Sequence, residues 1–499
     1  MRTYVKHLFL MPALMALLSL IPAHRATAQI LTTLHDFTAG FGPSSDGSYS
    51  LAGLIISSNT LYGTALYGGR SGNGMVFAVN TDGASFTNLY SFTASLSPNY
   101  TNSDGAVPFA GLVLSGTNLY GTAAVAGTAD DGTVFAVNID GSSFTNLHNF
   151  TALNNNTNAD GANPEAGLVL SGRILYGTTY RGGNVGNGTV FAVNTDGTGF
   201  TNLYNFTALN NNTNADGANP KAGLVLSGET LYGTTYGGGS FGNGTVFAVN
   251  TDGTGFTNLH NFTALNNYTN TDGADPVAGL VLSSNTLYGT TFGGGSFGNG
   301  TVFAVNTDGT GFTNLHAFTI TSVPYSKPSI GTNSDGAEPN AGLVLSGKTL
   351  YGTAHAGGPN SDGTVFAINT DGTDFTVLYR FSADQGINSD GAYPDAGLFL
   401  AGDTLYGTTY EGGSSGSGTV FSLSFLPQLA LTRFVTNVVL TWPTNVAGFD
   451  YTDFTLQSST NVVSPAAWSA VSPGPVIVNG LNTVTDAITG TWKFYRLSQ

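Results

Sequence analysis

The sequence predicts an all-β protein: a seven-bladed β-propeller closed by its own N-terminal strand, followed by a small C-terminal β-sandwich. Three observations carry this expectation. A Leu-Tyr-Gly-Thr motif recurs with its tyrosine at Tyr62, Tyr120, Tyr176, Tyr232, Tyr288, Tyr351 and Tyr406, at spacings of 58, 56, 56, 56, 63 and 55. Each copy sits among four short segments rich in β-branched and aromatic residues, the pattern of a propeller blade. The two ends of the array are also offset by one segment, as in a ring that locks itself shut.

Residues 1–28 read as a signal peptide. Arg2 and Lys6 precede an apolar run from Leu8 to Pro22, and Ala26-Thr27-Ala28 supplies a small-x-small cleavage pattern before Gln29. A run of about 15 residues is short for a membrane span, and no later stretch is long and apolar enough to cross a bilayer. The expected mature chain is therefore secreted or held at the cell surface without a transmembrane helix. It keeps ten basic and 29 acidic residues, a charge of −19.

The blades occupy 29–425, in repeats of about 56 residues. In the fourth repeat the segments are 222–228, 230–236, 244–250 and 256–262. Thr251-Asp252-Gly253 joins the last two and calls for a residue at positive φ. No 3.6-residue periodicity appears, which excludes a helical solenoid. The fourth segment occurs at 86–92, 144–150, 200–206, 256–262, 312–318 and 375–381, and the last repeat lacks it. The missing copy is Leu31–Phe37, at the other end of the array. The first strand is thus expected to complete the last blade. Beyond about 426 the repeat stops. All three tryptophans lie there, and segments 429–442, 453–460, 475–480 and 490–497 read as strands of a β-sandwich over 426–499.

Composition narrows the function. Charged residues make up 8%, glycine numbers 70 in 499, and cysteine is absent. A net charge of −16 argues against nucleic acid as a partner. The absence of cysteine removes a disulfide framework and suits an exported bacterial protein.

In Leu-Tyr-Gly-Thr-Thr, the Gly-rich stretch, Gly-Thr-Val-Phe and the later Asp-Gly-x-x-Pro before Gly-Leu, residues 30–425 resemble the GloVer tandem-repeat proteins of Gloeobacter and Verrucomicrobia. The resemblance implies an exported bacterial protein with a variable C-terminal anchor and supplies no activity. This chain ends in Phe-Tyr-Arg-Leu-Ser-Gln without the hydrophobic and basic tail of anchored members.

The repeats also serve as an internal comparison. A residue kept in every repeat holds the blade; a residue that breaks the pattern on a variable face is a functional candidate. The first-to-second and third-to-fourth turns are short and uniform. The second-to-third loops and the crossovers carry all the length variation, including the insertion at 319–338, so the working face is expected there. His35, His148, His260 and His316 share one position with Tyr90, Tyr204 and Tyr379, which points to structure rather than metal ligation. Asp46, Asp104, Asp160, Asp216, Asp272, Asp335 and Asp390 each precede glycine and read as turn residues. Asn156-x-Asn158-x-Asp160 offers structural calcium as the alternative, but Tyr100, Tyr268, Gly331 and Gly386 break that pattern elsewhere and no bidentate Glu follows. No cofactor is otherwise expected.

Two sets remain as ligand-binding candidates. Tyr180, Tyr236, Phe292, His355 and Tyr410 end the second strand, with Leu66 and Ala124 in their place in the first two repeats. The position before Ala-Gly-Leu reads Leu51, Phe109, Glu165, Lys221, Val277, Asn340 and Asp395, and Glu165, Lys221 and Asp395 are its polar candidates. No Cys nucleophile, His-Glu-x-x-His or Gly-x-Ser-x-Gly occurs, and the array has no tryptophan. Of the arginines only Arg70 and Arg181 fall on the expected working face. The reading is an exported monomeric binding or structural module, not an enzyme, whose partner is a polysaccharide or a protein. The alternative is a carbohydrate-active hydrolase or lyase using acids at the channel mouth.

Overall fold

The computed structural model describes residues 28–38, 40–97, 99–322, 331–382, 387–460, 467–488 and 492–498. The expected leader therefore lies outside the described residues except for Ala28, as does 323–330 of the long insertion. Among the described residues every element is a strand, and no helix is long and apolar enough to cross a membrane. Chain contacts divide into two compact units, one spanning Leu31–Leu423 and the other holding 424–499.

The larger unit is a tandem series of four-stranded sheets. In the third repeat the strands are Val169–Ser171, Ile174–Thr179, Thr189–Asn194 and Thr201–Asn205, antiparallel and in chain order across the sheet. The two middle strands are buried almost throughout, because a neighbouring sheet covers each face. Hence they read as continuous apolar runs rather than alternating ones.

The two repeat motifs are coupled by contact. Gly177 of Leu-Tyr-Gly-Thr pairs across the sheet with Phe191 of Gly-Thr-Val-Phe. A Cβ at Gly177 would stand 2.6 Å from Phe191 Cζ and 2.8 Å from Leu168 Cδ2. The glycine is the space the phenylalanine fills. The predicted hairpin has its positive φ, 83°, at Gly253, and Asp252 Oδ1 accepts the Thr254 N–H at 2.9 Å.

Adjacent repeats join through mixed cores, such as Tyr120, Val134 and Phe150 of the second repeat against Leu175, Phe191 and Val193 of the third. A buried threonine marks each junction. Thr122, Thr178, Thr234, Thr290 and Thr353 donate to the carbonyls of Ala166, Ala222, Ala278, Ala341 and Ala396 in the following repeat, at 3.0–3.3 Å. Thr408 of the last repeat donates to Ala52 of the first at 3.3 Å. Leu34, Phe37, Tyr406 and Val420 share a core with Leu61, Phe77 and Val79. The N-terminal strand, Ala28–Asp36, is the edge of the last sheet beside Thr419–Leu426, and Phe37 donates its N–H to the Gly418 carbonyl at 3.1 Å.

The histidines and the Asp-Gly aspartates form one structural device. His148, His260 and His316 place Nε2 at 3.0, 2.9 and 3.0 Å from Asp160, Asp272 and Asp335. Tyr90, Tyr204 and Tyr379 donate their hydroxyls to Asp104, Asp216 and Asp390 at 2.7, 2.8 and 2.7 Å. Five of these rings, all but Tyr379, also stack on a phenylalanine of the next repeat: His148 on Phe200 at 3.7 Å, Tyr204 on Phe256 at 3.9 Å. His and Tyr alternate because both offer a flat ring with a donor at its far end. Burial acts to raise the pKa of Asp160, but hydrogen bonds from His148 and Thr151 prevail and lower it. The turn chemistry expected of the aspartate belongs to its neighbour: Asn158 Oδ1 accepts the N–H groups of Gly161 and Gly183, both at 2.9 Å. The side-chain oxygens of Asn158 and Asp160 that a calcium loop would present accept protein donors.

The smaller unit carries a four-stranded sheet, in the order Ala430–Arg433, Asn437–Pro443, Leu481–Ala487, Val476–Val478. A three-stranded sheet is formed by Ser469–Ala470, Thr455–Ser459 and Phe494–Ser498. Trp442, Tyr451 and Leu456 are buried. Two features differ from expectation. Segment 429–442 is a hairpin rather than one strand, and Leu481–Ala487, a central strand, was not foreseen. The chain reverses at Asn479-Gly480, both at positive φ (52° and 74°), a two-residue turn that makes 475–487 a hairpin.

Candidate functional site

The functional candidates gather at one rim of the sheets, built on a strained backbone position. In the frame Asp-Gly-Ala-x-Pro, Val107, Asn163, Asn219, Asp275, Glu338 and Tyr393 occupy x, and Tyr49 takes the same place in the first repeat. All seven adopt φ between 53° and 58°, which costs a non-glycine residue about 1–3 kcal/mol. Two backbone bonds hold each one. Asn219 donates its N–H to Asn187 of the preceding repeat at 2.8 Å, and its carbonyl accepts the N–H of Tyr236 at 3.2 Å. Tyr49 does the same with Ser417 of the last repeat at 2.9 Å and with Leu66 at 3.3 Å. This position therefore abuts the second-strand ends, where Tyr180, Tyr236, Phe292, His355 and Tyr410 sit.

In the third to fifth repeats, Lys221 Nζ lies 5.0 Å from the Tyr180 ring and 4.9 Å from the Tyr236 ring, close enough for cation–π attraction to both. Arg181 approaches Tyr180 at 5.4 Å. Burial raises the pKa of Glu165, with Lys221 and Arg181 pulling it down. Burial likewise pushes Asp275 up to about 6, against the pull of Lys221. Tyr236 is raised by burial, by Asp275 and by Tyr180. Glu165, Lys221 and Asp275 are all half-buried. Their charged atoms make no hydrogen bond to any described residue, in contrast to the saturated aspartates of the Asp-Gly loops.

A second group lies in the sixth and seventh repeats. His355 Nδ1 is 2.7 Å from Asp395 Oδ1, which also accepts Asn340 Nδ2 at 3.1 Å. Tyr393 stacks on His355 at 5.0 Å. Burial acts to lower the His355 pKa, but the carboxylates of Asp395, Glu338 and Glu411 outweigh it and raise it. Glu338 is raised by burial and by Asp395, with His355 opposing. Acids that the sequence leaves scattered thus interact through His355. Tyr410 contacts Tyr49 at 5.0 Å. Phe292 is half-buried beside the backbone of Asp275.

Sequence reasoning named eight residues of this group, in two separate sets, and counted Glu338 among acids it could not bring together; it missed Tyr49, Asp275 and Tyr393. Their signal was the variable x inside a near-constant Asp-Gly-Ala-x-Pro. Lys221 is also more than a variable surface residue, since it packs between two tyrosines. Among the described residues no group of three or more His, Asp or Glu is placed to hold a metal.

The model of the Gloeobacter/Verrucomicrobia repeat matches residues 23–207, 93–266, 150–332 and 329–438. The chain belongs to this repeat family. No curated protein matches it. Among solved structures, TolB from Acinetobacter baumannii is 12% identical over 60% of this chain, with a TM-score of 0.33, and this chain spans 58% of it. The GH74 enzyme of Niastella koreensis is 15% identical over 89% of this chain and 68% of its own, with a TM-score of 0.46. An oligogalacturonate lyase in complex with manganese is 10% identical over 81% of this chain and 99% of its own, with a TM-score of 0.42. None of these likenesses bears on what the repeat protein binds.

Proposed function

We propose that the repeats close into a seven-bladed propeller, that the protein is exported, and that it recognises a polysaccharide at the rim where the second strands end. Closure is supported by the Thr408–Ala52 bond and by the place of the N-terminal strand beside the last repeat. Recognition is carried by one observation: Glu165, Lys221 and Asp275 are half-buried and hydrogen-bonded to no described residue. Their charged atoms keep contact with solvent and have no hydrogen-bond partner among the described residues, so all three are available to a ligand. A hydroxyl-rich chain supplies donors and acceptors at once, and half-buried tyrosine rings beside them suit its apolar faces. Arrays of glycans and of peptides, probed with the full chain and with the Tyr180/Tyr236/Tyr410 triple alanine variant, test this. Glycan signal lost in the variant is expected. Binding to peptides alone, or glycan binding unchanged in the variant, overturns it.

The His355–Asp395 pair favours a second reading, hydrolysis or elimination on a carbohydrate. Asp395 fixes the imidazole through Nδ1 and leaves Nε2 with no described partner, as a base requires. Glu338, held toward its protonated form, would be the acid. Degradation of a polysaccharide panel, lost in Glu338→Gln and in His355→Gln with binding retained, would establish it.

A further inference from the structure

Phe41 is 64% exposed, yet its ring is fixed. It stacks on Tyr49 at 4.7 Å with planes 22° apart, and Tyr67 meets it edge-on at 5.1 Å. Tyr49 in turn touches Tyr410 at 5.0 Å. The result is a column of three rings, Tyr410, Tyr49 and Phe41, running outward from the rim, with Tyr67 bracing its side. No other repeat can build it. Where the first repeat has Tyr67, the others have Val125, Arg181, Gly237, Gly293, Ala356 and Glu411. A cleft of about 740 Å³ opens two residues along the chain from Phe41, lined by Ser44, Ser45, Arg70, Asn88 and Ser91 among others. Arg70 is exposed and hydrogen-bonded to no described residue.

We infer that Phe41 and the Arg70 cleft form a saccharide subsite, in which a sugar ring lies on the exposed face of Phe41 and its hydroxyls reach Arg70 and the cleft serines. The inference rests on the recognition reading above and extends the contact surface outward from it. A pyranose has the required shape, an apolar C–H face rimmed by hydroxyls. An exposed ring held in one orientation loses little entropy on stacking, so preorganisation adds to affinity. The phenols of Tyr49 and Tyr410 are raised, by burial foremost and by Glu411, and stay protonated as hydroxyl donors within the column. A peptide aromatic would use Phe41 but leave the cleft empty. A nucleic acid is opposed by the net charge of −16.

The test is calorimetric titration of the full chain with a β-1,4-glucan hexasaccharide and, separately, a β-1,4-mannan hexasaccharide. Phe41→Ala, Arg70→Gln and Lys221→Met are compared with wild type, and thermal midpoints are recorded for each. The expected result is binding of at least one saccharide, weakened about tenfold or more in Phe41→Ala and in Arg70→Gln, with unchanged midpoints, since both side chains lie outside the core. Binding lost in Lys221→Met but intact in Phe41→Ala and Arg70→Gln overturns the subsite and leaves the rim reading standing. Binding lost in Phe41→Ala and Arg70→Gln but intact in Lys221→Met supports the subsite and overturns the rim reading. No binding of either saccharide by wild type overturns the subsite.

Discussion

Thr408 Oγ1 in the last repeat donates a hydrogen bond to the carbonyl of Ala52 in the first, at 3.3 Å. The two residues are 356 positions apart, yet the bond repeats the one that joins every neighbouring pair. The N-terminal strand supplies Leu34 and Phe37 to the core at this junction. Deleting residues 29–37 is therefore expected to lower the thermal midpoint sharply. Burial of Leu34 and Phe37 alone contributes about 3–6 kcal/mol, and the mostly buried strand Thr419–Leu426 would become the sheet edge. Calorimetry of the deletion variant checks this; an unchanged midpoint would sink the closure reading.

The glycine of Leu-Tyr-Gly-Thr is expected to resist even alanine. Gly177→Ala puts a methyl against Phe191 and Leu168, both confined by the neighbouring sheet. Overpacking of this kind costs about 1–3 kcal/mol. Denaturant unfolding measures it, and Gly172→Ala, where nothing lies within 4 Å of the added Cβ, separates crowding from the strain of a positive φ of 59°.

The outer-strand rings are expected to divide their contribution in two. Tyr204→Phe keeps the stack on Phe256 and loses the bond to Asp216, at a cost of about 1–3 kcal/mol because the acceptor is a buried carboxylate. Tyr204→Ala loses both and costs more. The difference between the two, read from unfolding free energies, isolates the stacking.

Asp275 gives a pH signature with a definite sign. Its pKa in the folded chain is raised to about 6 from 3.8, so the folded state holds the proton more tightly than the unfolded one. The penalty for ionising it is present in full above about pH 6 and fades as pH falls toward 3.8. Asp275→Asn is therefore expected to raise the thermal midpoint at about pH 8 and to leave it nearly unchanged at about pH 4. Equal shifts at both values would contradict a burial penalty on this carboxylate that outweighs the pull of Lys221.

The architecture was legible because it repeats. Seven copies of Tyr-Gly and of Val-Phe place the second, third and fourth strands to within a residue at each end, whereas the first is shorter than its apolar segment, Val225–Ser227 within 222–228; the displaced copy at Leu31–Phe37 tells where the N-terminal strand belongs. The site was legible only in part. Tyr180, Tyr236 and Lys221 stand out by breaking the pattern, but that one ammonium lies between two rings is a fact of three dimensions. His355 and Asp395 are 40 residues apart, in different repeats, and no spacing rule joins them. Leu481–Ala487 escaped notice because Asn479-Gly480, a strong hairpin signal, was absorbed into the preceding segment.

The seven residues at positive φ have a consequence for how such a protein can change. Each is held through its own N–H and C=O, so the scaffold makes no demand on its side chain. Tyr, Val, Asn, Asp and Glu already occupy the place interchangeably, for a modest backbone strain. A ligand specificity carried by this rim would be written in positions whose spelling the fold does not proofread. A new ligand preference can arise by single substitutions at the rim, one repeat at a time, while every strand, core cluster and junction threonine remains as it was.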